Sequence, residues 1–208
     1  VSEYYMMFAH PPLGVFEYPQ EELSIVVDYV KQLDYKIVFN NPNHTKISEN
    51  VHILKSKSLR NFKKFLSTSV HKYARDIMLT NSRFRITNSW VNKSKYATGH
   101  QRHFHENSVL SGVFFVQSDE TCPPITFESP MNNWQINPRK GNEGRVSTNE
   151  FNNFTYNYSP VPGTLLLFSS AIRHCVGSNP SQTERISISF NTFPETPFGD
   201  SMNLSYTE

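Results

Sequence analysis

Cysteine is scarce: the 208 residues contain only Cys122 and Cys175. Two thiols are too few for a disulfide framework, so a small stapled scaffold is excluded. A single bridge between them stays open, and a reducing compartment is the expectation. An excess of charge of either sign is also missing, with 20 Lys and Arg against 18 Asp and Glu and a formal net charge of +2. Nucleic acids and anionic membrane surfaces select a concentrated excess of positive charge, so neither partner is expected. Long apolar runs are absent as well. Stretches such as Thr164 to Phe168 and Val113 to Val116 are far shorter than the roughly 18 residues that a membrane span needs. The N-terminal residues lack the basic, apolar and small-residue order of a signal peptide. A soluble, cytoplasmic protein is expected.

What is present suits a packed core. The chain is 37% hydrophobic and 13% aromatic, and at this length roughly 70% of the unfolded surface is removable from water. No repeat and no linker divides it, so residues 1–208 read as one domain. Leu13 to Tyr18 has the content of a short strand closed by Pro19. Glu21 to Gln32 places Leu23, Val26, Val27 and Val30 on one helix face, and Leu59 to Met78 does the same with Phe62, Phe65, Leu66, Val70 and Tyr73. Amphipathic helices covering a sheet account for both stripes. After Asn81 short strand-like runs take over: Arg83 to Val91, Ser111 to Val116, Ile125 to Glu128, Arg145 to Thr148, Thr164 to Phe168 and Arg185 to Thr192. Turn residues at Pro162-Gly163 and Asn179-Pro180 separate some of them, the pattern of an antiparallel sandwich or barrel. The polar, asparagine-rich segment from Met131 to Asn157 reads as a long loop containing a hairpin, a common form for a lid or binding element.

Eight histidines are present, and three differ from the rest in context. His103 and His105 are two apart just before an apolar strand. If that segment is extended, both imidazoles point to one side and can grip one metal ion; decoration of an exposed loop is the other possibility. His174 follows one buried strand and precedes another, a position open to a hydrogen-bonded core histidine as well as to a ligand. Arg185 then opens an alternating strand, with Ser187 and Ser189 on its own face and Ile186, Ile188 and Phe190 opposite. A buried arginine needs an anion, and a ligand carboxylate is one candidate. His10, His44 and His71 have no partner at ligand spacing and read as surface or packing residues. His100 is out of phase with the pair by one residue.

Taken in order, Trp90-Val-Asn92, Gly99, His103-Phe-His105, Ser111-Gly-Val-Phe-Phe-Val116, Pro162-Gly-Thr-Leu-Leu-Leu-Phe168, His174 and Glu184-Arg-Ile-Ser-Ile-Ser-Phe-Asn191 resemble the 2-oxoglutarate- and iron(II)-dependent oxygenase superfamily. The likeness is greatest to a branch from bacteria and phages related to prolyl hydroxylases, and spans about residues 84 to 193. It implies a mainly β fold, a double-stranded β-helix or cupin-like jelly roll over residues 81–208, braced by helices in residues 1–80. It implies iron(II), 2-oxoglutarate and O2, and hydroxylation of a C–H bond in a protein side chain of prolyl type or in a small molecule, with release of succinate and CO2. Residue by residue, His103 and His174 match metal ligands, Arg185 the residue that grips the distal carboxylate of 2-oxoglutarate, and Ser187 the hydroxyl beside it. Asn92 and Tyr96 fall where the family places polar contacts to co-substrate or substrate. No catalytic side chain beyond the metal ligands is implied.

The departure is His105. The wider superfamily has Asp or Glu there, completing a two-His, one-carboxylate facial triad. Period-two geometry favours His105 as the second ligand, and Glu106 is the alternative, on the opposite side of a regular strand. Two other functions compete: a three-His metal dioxygenase that uses no 2-oxoglutarate, and a jelly roll that only binds. Arg185 with Ser187 argues against the first, and the retained histidines with Arg185 against the second.

Overall fold

The computed structural model describes residues 12–38, 41, 43–129 and 154–195. Strand β1 (Gly14–Glu17) leads through Pro19 into helix α1 (Gln20–Lys31), whose first turn carries Glu21 and Glu22 against the positive end of the helix dipole. Two short strands follow, β2 (Tyr35–Lys36) and β3 (Lys46–Ser48), then helix α2 (Arg60–Asp76). The remaining strands are β4 (Phe84–Ser94), β5 (His100–His103), β6 (Leu110–Gln117), β7 (Ile125–Glu128), β8 (Thr155–Tyr158), β9 (Thr164–Ser169), β10 (His174–Val176) and β11 (Arg185–Pro194). They form two antiparallel sheets, one of seven strands in the order β1-β9-β6-β11-β4-β3-β2 and one of four in the order β5-β10-β7-β8. This is the architecture expected of a jelly roll with N-terminal helices. Among the described residues no helix is long and apolar enough to cross a membrane. Both cysteines are free thiols.

The large sheet is covered on both faces, which is why its strands read as continuous apolar runs. Along β6, Phe114 and Val116 enter the core shared with the helices, while Val113 and Phe115 face the smaller cluster with Ile125 and Phe127 of β7. Along β9, Leu165 and Leu167 go one way and Leu166 and Phe168 the other. Helix α2 presents Phe62, Leu66, Val70 and Tyr73 to that first core, and α1 adds Val26 and Val30. Before β9 the chain turns through Val161–Thr164, where Thr164 N–H donates to the Val161 carbonyl at 3.1 Å and Gly163 adopts φ +88°. Glycine after proline is what a turn with positive φ at its third residue requires.

Element by element, the two helices and the strands at β1, β4, β6, β7, β9 and β11 match the sequence expectations within a few residues. Of the segment from Met131 to Asn157, residues Thr155–Tyr158 form β8, and the candidate strand Arg145 to Thr148 lies outside the described residues.

Candidate functional site

Strand β11 positions the cationic side of the site. It pairs with β4 on one edge, Arg185 opposite Ser94, Ser187 opposite Asn92 and Ser189 opposite Trp90, and with β6 on the other. The β6 register shifts between Ile186 and Ser187, a bulge beside Arg185 of the kind that re-aims side chains next to functional sites. Ile186, Ile188 and Phe190 belong to the helix-side core. Arg185, Ser187 and Ser189 line an inner cavity of about 30 Å³ together with Trp90, Asn92 and Ser94 from β4, as strict alternation demands.

Arg185 is 2% exposed, and its Nε and Nη2 have no hydrogen-bond partner. Its guanidinium lies 5.3 Å from the Phe115 ring centre. Burial lowers its pKa to about 10, so it remains a cation at neutral pH. A buried cation in this state is strongly unfavourable unless an anion joins it. Beside it, the Trp90 indole N–H donates to Asn92 Oδ1 at 3.1 Å, and Asn92 Nδ2 donates to Ser189 Oγ at 2.8 Å, which fixes the amide against the cavity wall.

The small sheet supplies the other side. His103 is the cross-strand partner of His174, with ring centres 4.3 Å apart. The strand β5 stops at His103, and His105 lies just beyond it, its backbone N–H donating to the Ser170 carbonyl at 3.0 Å. Even so its ring is 5.1 Å from those of both His103 and His174. One ligand nitrogen from each of the three falls within 4.8 Å of the others, and all three rings line the inner cavity. The Nδ1 atoms of His103 and His174 meet the carbonyls of Gln101 and Ile172 at 2.8 and 2.9 Å, leaving Nε2 as the free nitrogen of each. Carbonyls in this role set the tautomer of a metal-binding imidazole.

Glu106, the alternative second ligand, is exposed and outside that group of three. It lines an outer cavity of about 550 Å³ with Arg102, Phe104, Arg173 and Asn191, and His103 and His105 line both cavities. The histidines therefore stand between a narrow interior holding Arg185 and a wide mouth. Tyr96 is not brought to either cavity: β4 ends at Ser94, the chain turns, and Tyr96 is left 59% exposed.

Two histidines beyond the expected set join the cluster. His100 stacks on His103 at 4.4 Å and 29°, and His44, 3% exposed, meets His100 edge-on at 4.7 Å. The register explains His100. Val176 faces His100 while His174 faces His103, so three steps on β5 span two on β10 and the alternation breaks. His44, 56 residues before His100 in the chain, carries no local signal of the contact. Gly99 permits the approach: a Cβ there would sit 2.8 Å from the Val176 carbonyl oxygen and 2.9 Å from that of Gly177. Gly99→Ala is expected to cost about 1–3 kcal/mol, the usual penalty of overpacking, read as a lower melting temperature together with weaker metal binding.

Burial keeps the imidazoles neutral. It lowers His105 to about 4 and His174 to about 3, with the neighbouring His103 adding to both, and it lowers His103 despite the Gln101 carbonyl. An unfolded histidine titrates near about 6.5. Between that value and pH 4 the unfolded chain takes up protons that the folded one refuses, so stability falls with pH in this window and is flat above it. Thermal melts of the metal-free protein are expected to show that decline, and His105→Gln should make it shallower; equal slopes in both proteins would contradict the assignment.

Comparison with known proteins bears on the family and the fold. Residues 88–191 match the family model described as "Putative 2OG-Fe(II) oxygenase". Among curated proteins nothing matches. Among solved structures, an oxidoreductase of the 2OG-Fe(II) oxygenase family from Burkholderia pseudomallei is similar at 13% identity and TM-score 0.60, covering 86% of this chain and 83% of its own. HygX from Streptomyces hygroscopicus, with nickel, 2-oxoglutarate and hygromycin B bound, is similar at 10% identity and TM-score 0.61, with 88% and 83% covered. A prolyl hydroxylase from Trichoplax adhaerens, in complex with a hypoxia inducible factor peptide fragment, is similar at 14% identity and TM-score 0.58, with 89% and 84% covered.

Proposed function

The chain belongs to the 2OG-Fe(II) oxygenase family, and from that premise we propose that it hydroxylates a C–H bond of a prolyl-type protein side chain or of a small molecule, releasing succinate and CO2. The observation that carries this is Arg185, a buried guanidinium with two unpartnered donors in the same cavity as three clustered histidines. A carboxylate of 2-oxoglutarate would pair with the first, and a metal ion would be held by the second.

Both groups fit the residues present. His103, His105 and His174 offer three neutral nitrogens close enough for one small cation. Arg185 grips a carboxylate through parallel N–H bonds, with the Ser187 hydroxyl beside it. Asn92, already oriented by Trp90 and Ser189, lends its remaining amide hydrogen to the same cavity. Iron(II) with 2-oxoglutarate, when bound, supplies the oxidising chemistry. The chain contributes binding and orientation, and the buried interior keeps bulk water from the reacting end. Tyr96, on its exposed turn, has no part in this assignment. Substrate enters from the outer cavity, whose lining mixes Phe104 with charged Arg102, Arg173 and Glu106. The segment from Met131 to Asn157 is the proposed selectivity element.

The test is to incubate metal-free protein anaerobically with iron(II) and 2-oxoglutarate, admit oxygen, and measure succinate. Succinate that requires both additions is expected. Absence of metal-dependent 2-oxoglutarate binding, with Arg185→Ala behaving like the parent, would overturn the proposal.

A further inference from the structure

His100 is a half-buried imidazole that the function proposed above does not use. One face of its ring is covered by His103 at 4.4 Å, and His44 abuts it at 4.7 Å. His44 is itself held, with Nδ1 at 2.9 Å from the Thr45 carbonyl, and the Thr45 hydroxyl donates to the Gly99 carbonyl at 3.0 Å, next to His100 in the chain. The ring is thus fixed in position from two sides. Yet among the described residues neither of its nitrogens has a hydrogen-bond partner, and the residue lines the inner cavity that also holds Arg185. A neutral imidazole always carries one N–H donor, and here that donor is left available to a ligand of the cavity.

The inner cavity therefore presents unpaired donors at two places: the guanidinium of Arg185, and the ring of His100 against the three-histidine group. A ligand that satisfies both has acceptors at both of its ends. Resting on the function proposed above, we infer that His100 binds the co-substrate directly, donating its ring N–H to the carboxylate nearest the three histidines while Arg185 holds the distant one. His100 then selects for an acid group at that end, and its stack on His103 ties its position to that of the metal.

Two substitutions separate the donor from the ring. His100→Phe keeps an aromatic ring to stack on His103 and removes the donor; His100→Gln keeps a donor and removes the ring. Each is loaded with manganese(II) and titrated calorimetrically with 2-oxoglutarate, alongside the parent and Arg185→Gln, after manganese affinity has been measured separately. In His100→Phe the dissociation constant for 2-oxoglutarate is expected to rise about tenfold or more, as loss of a hydrogen bond to a charged group requires. His100→Gln should stay within about threefold of the parent on the same scale, and both should bind manganese as the parent does. Unchanged 2-oxoglutarate binding in His100→Phe, or an equal loss in both variants, would overturn the inference, since the second result describes a packing role. Loss of manganese affinity in His100→Phe would overturn it too. Should the parent bind 2-oxoglutarate in a manner that depends on Arg185 but not on His100, only this inference fails; should the parent not bind it at all, the proposed function fails as well.

Discussion

Replacing Arg185 with methionine is expected to abolish useful 2-oxoglutarate binding while leaving the metal-free protein as stable as the parent or more so. The two halves of that result come from one fact. In the structure the guanidinium is 2% exposed, two of its nitrogens lack partners, and the contact available to it is the Phe115 ring at 5.3 Å. Such a cation–π contact contributes only about 0.5–2 kcal/mol, well below the desolvation cost of a buried charge, which is several kcal/mol. An apolar side chain of similar length removes that cost, and replacing buried ionic groups with packed apolar ones is neutral or stabilising by about 1–4 kcal/mol. The bound state changes in the other direction. A truncated partner in a buried charge pair costs about 2–5 kcal/mol, a loss of thirtyfold to several thousandfold in affinity on the scale of about 1.4 kcal/mol per decade. Thermal melts and calorimetry on one preparation read both. Arg185→Lys should fall between, because an ammonium carries the charge without the planar fork. A destabilised Arg185→Met that still binds 2-oxoglutarate would show that the residue serves packing instead.

The second large effect concerns the metal. His105→Ala is expected to weaken iron(II) or manganese(II) binding by well over tenfold, since even outer partners of metal ligands cost roughly 10–100-fold when removed. Glu106→Ala should change it by less than about twofold, because an exposed carboxylate outside the three-nitrogen group contributes only a screened field. Equilibrium titration against a chelator of known affinity distinguishes the two. Loss confined to Glu106→Ala would reverse the assignment. With three neutral ligands the bound ion keeps its full double charge, one unit more than a site containing a carboxylate. An incoming dianion therefore meets more positive charge here, from the metal as well as from Arg185, and its binding should weaken steeply with added salt.

Much of this was legible before any coordinates. The face alternation of β11 follows from Arg185, Ser187 and Ser189 set against Ile186, Ile188 and Phe190, and that alternation puts the cation in a cavity and the apolar residues in a core. The convergence of His103 and His105 was expected from an extended backbone. The rings do converge, but the strand ends at His103, and the hydrogen bond from His105 N–H to the Ser170 carbonyl carries the next ligand candidate into place. Strict alternation misses in two places. Tyr96 is two residues beyond Ser94 and four beyond Asn92, so it belongs to their face only if β4 continues, and a turn ends it first. His100 belongs to the wrong face only if β5 is regular, and the register shift against β10 makes it irregular. Bulges and strand ends depend on pairing with distant segments, and the local sequence does not record them. The contact of His44 with His100 is of the same kind, made by the parallel bridge between His44 and Gly99.

The division of the site between the two sheets has a mechanical consequence. His103 and His174 stand on neighbouring strands of the small sheet, and Arg185 on a central strand of the large one. If 2-oxoglutarate binds as proposed, one end with the metal on the first and the other with the guanidinium on the second, it would span the sandwich like a rivet. Its arrival would tighten two layers that otherwise meet through a small apolar cluster, Val113, Phe115, Ile125, Phe127, Leu166 and Phe168. Amide hydrogens of β10 and β11 should then slow their exchange in concert, although no strand pairing joins those strands. An occupant seated on one layer alone would protect one sheet and leave the other free to breathe.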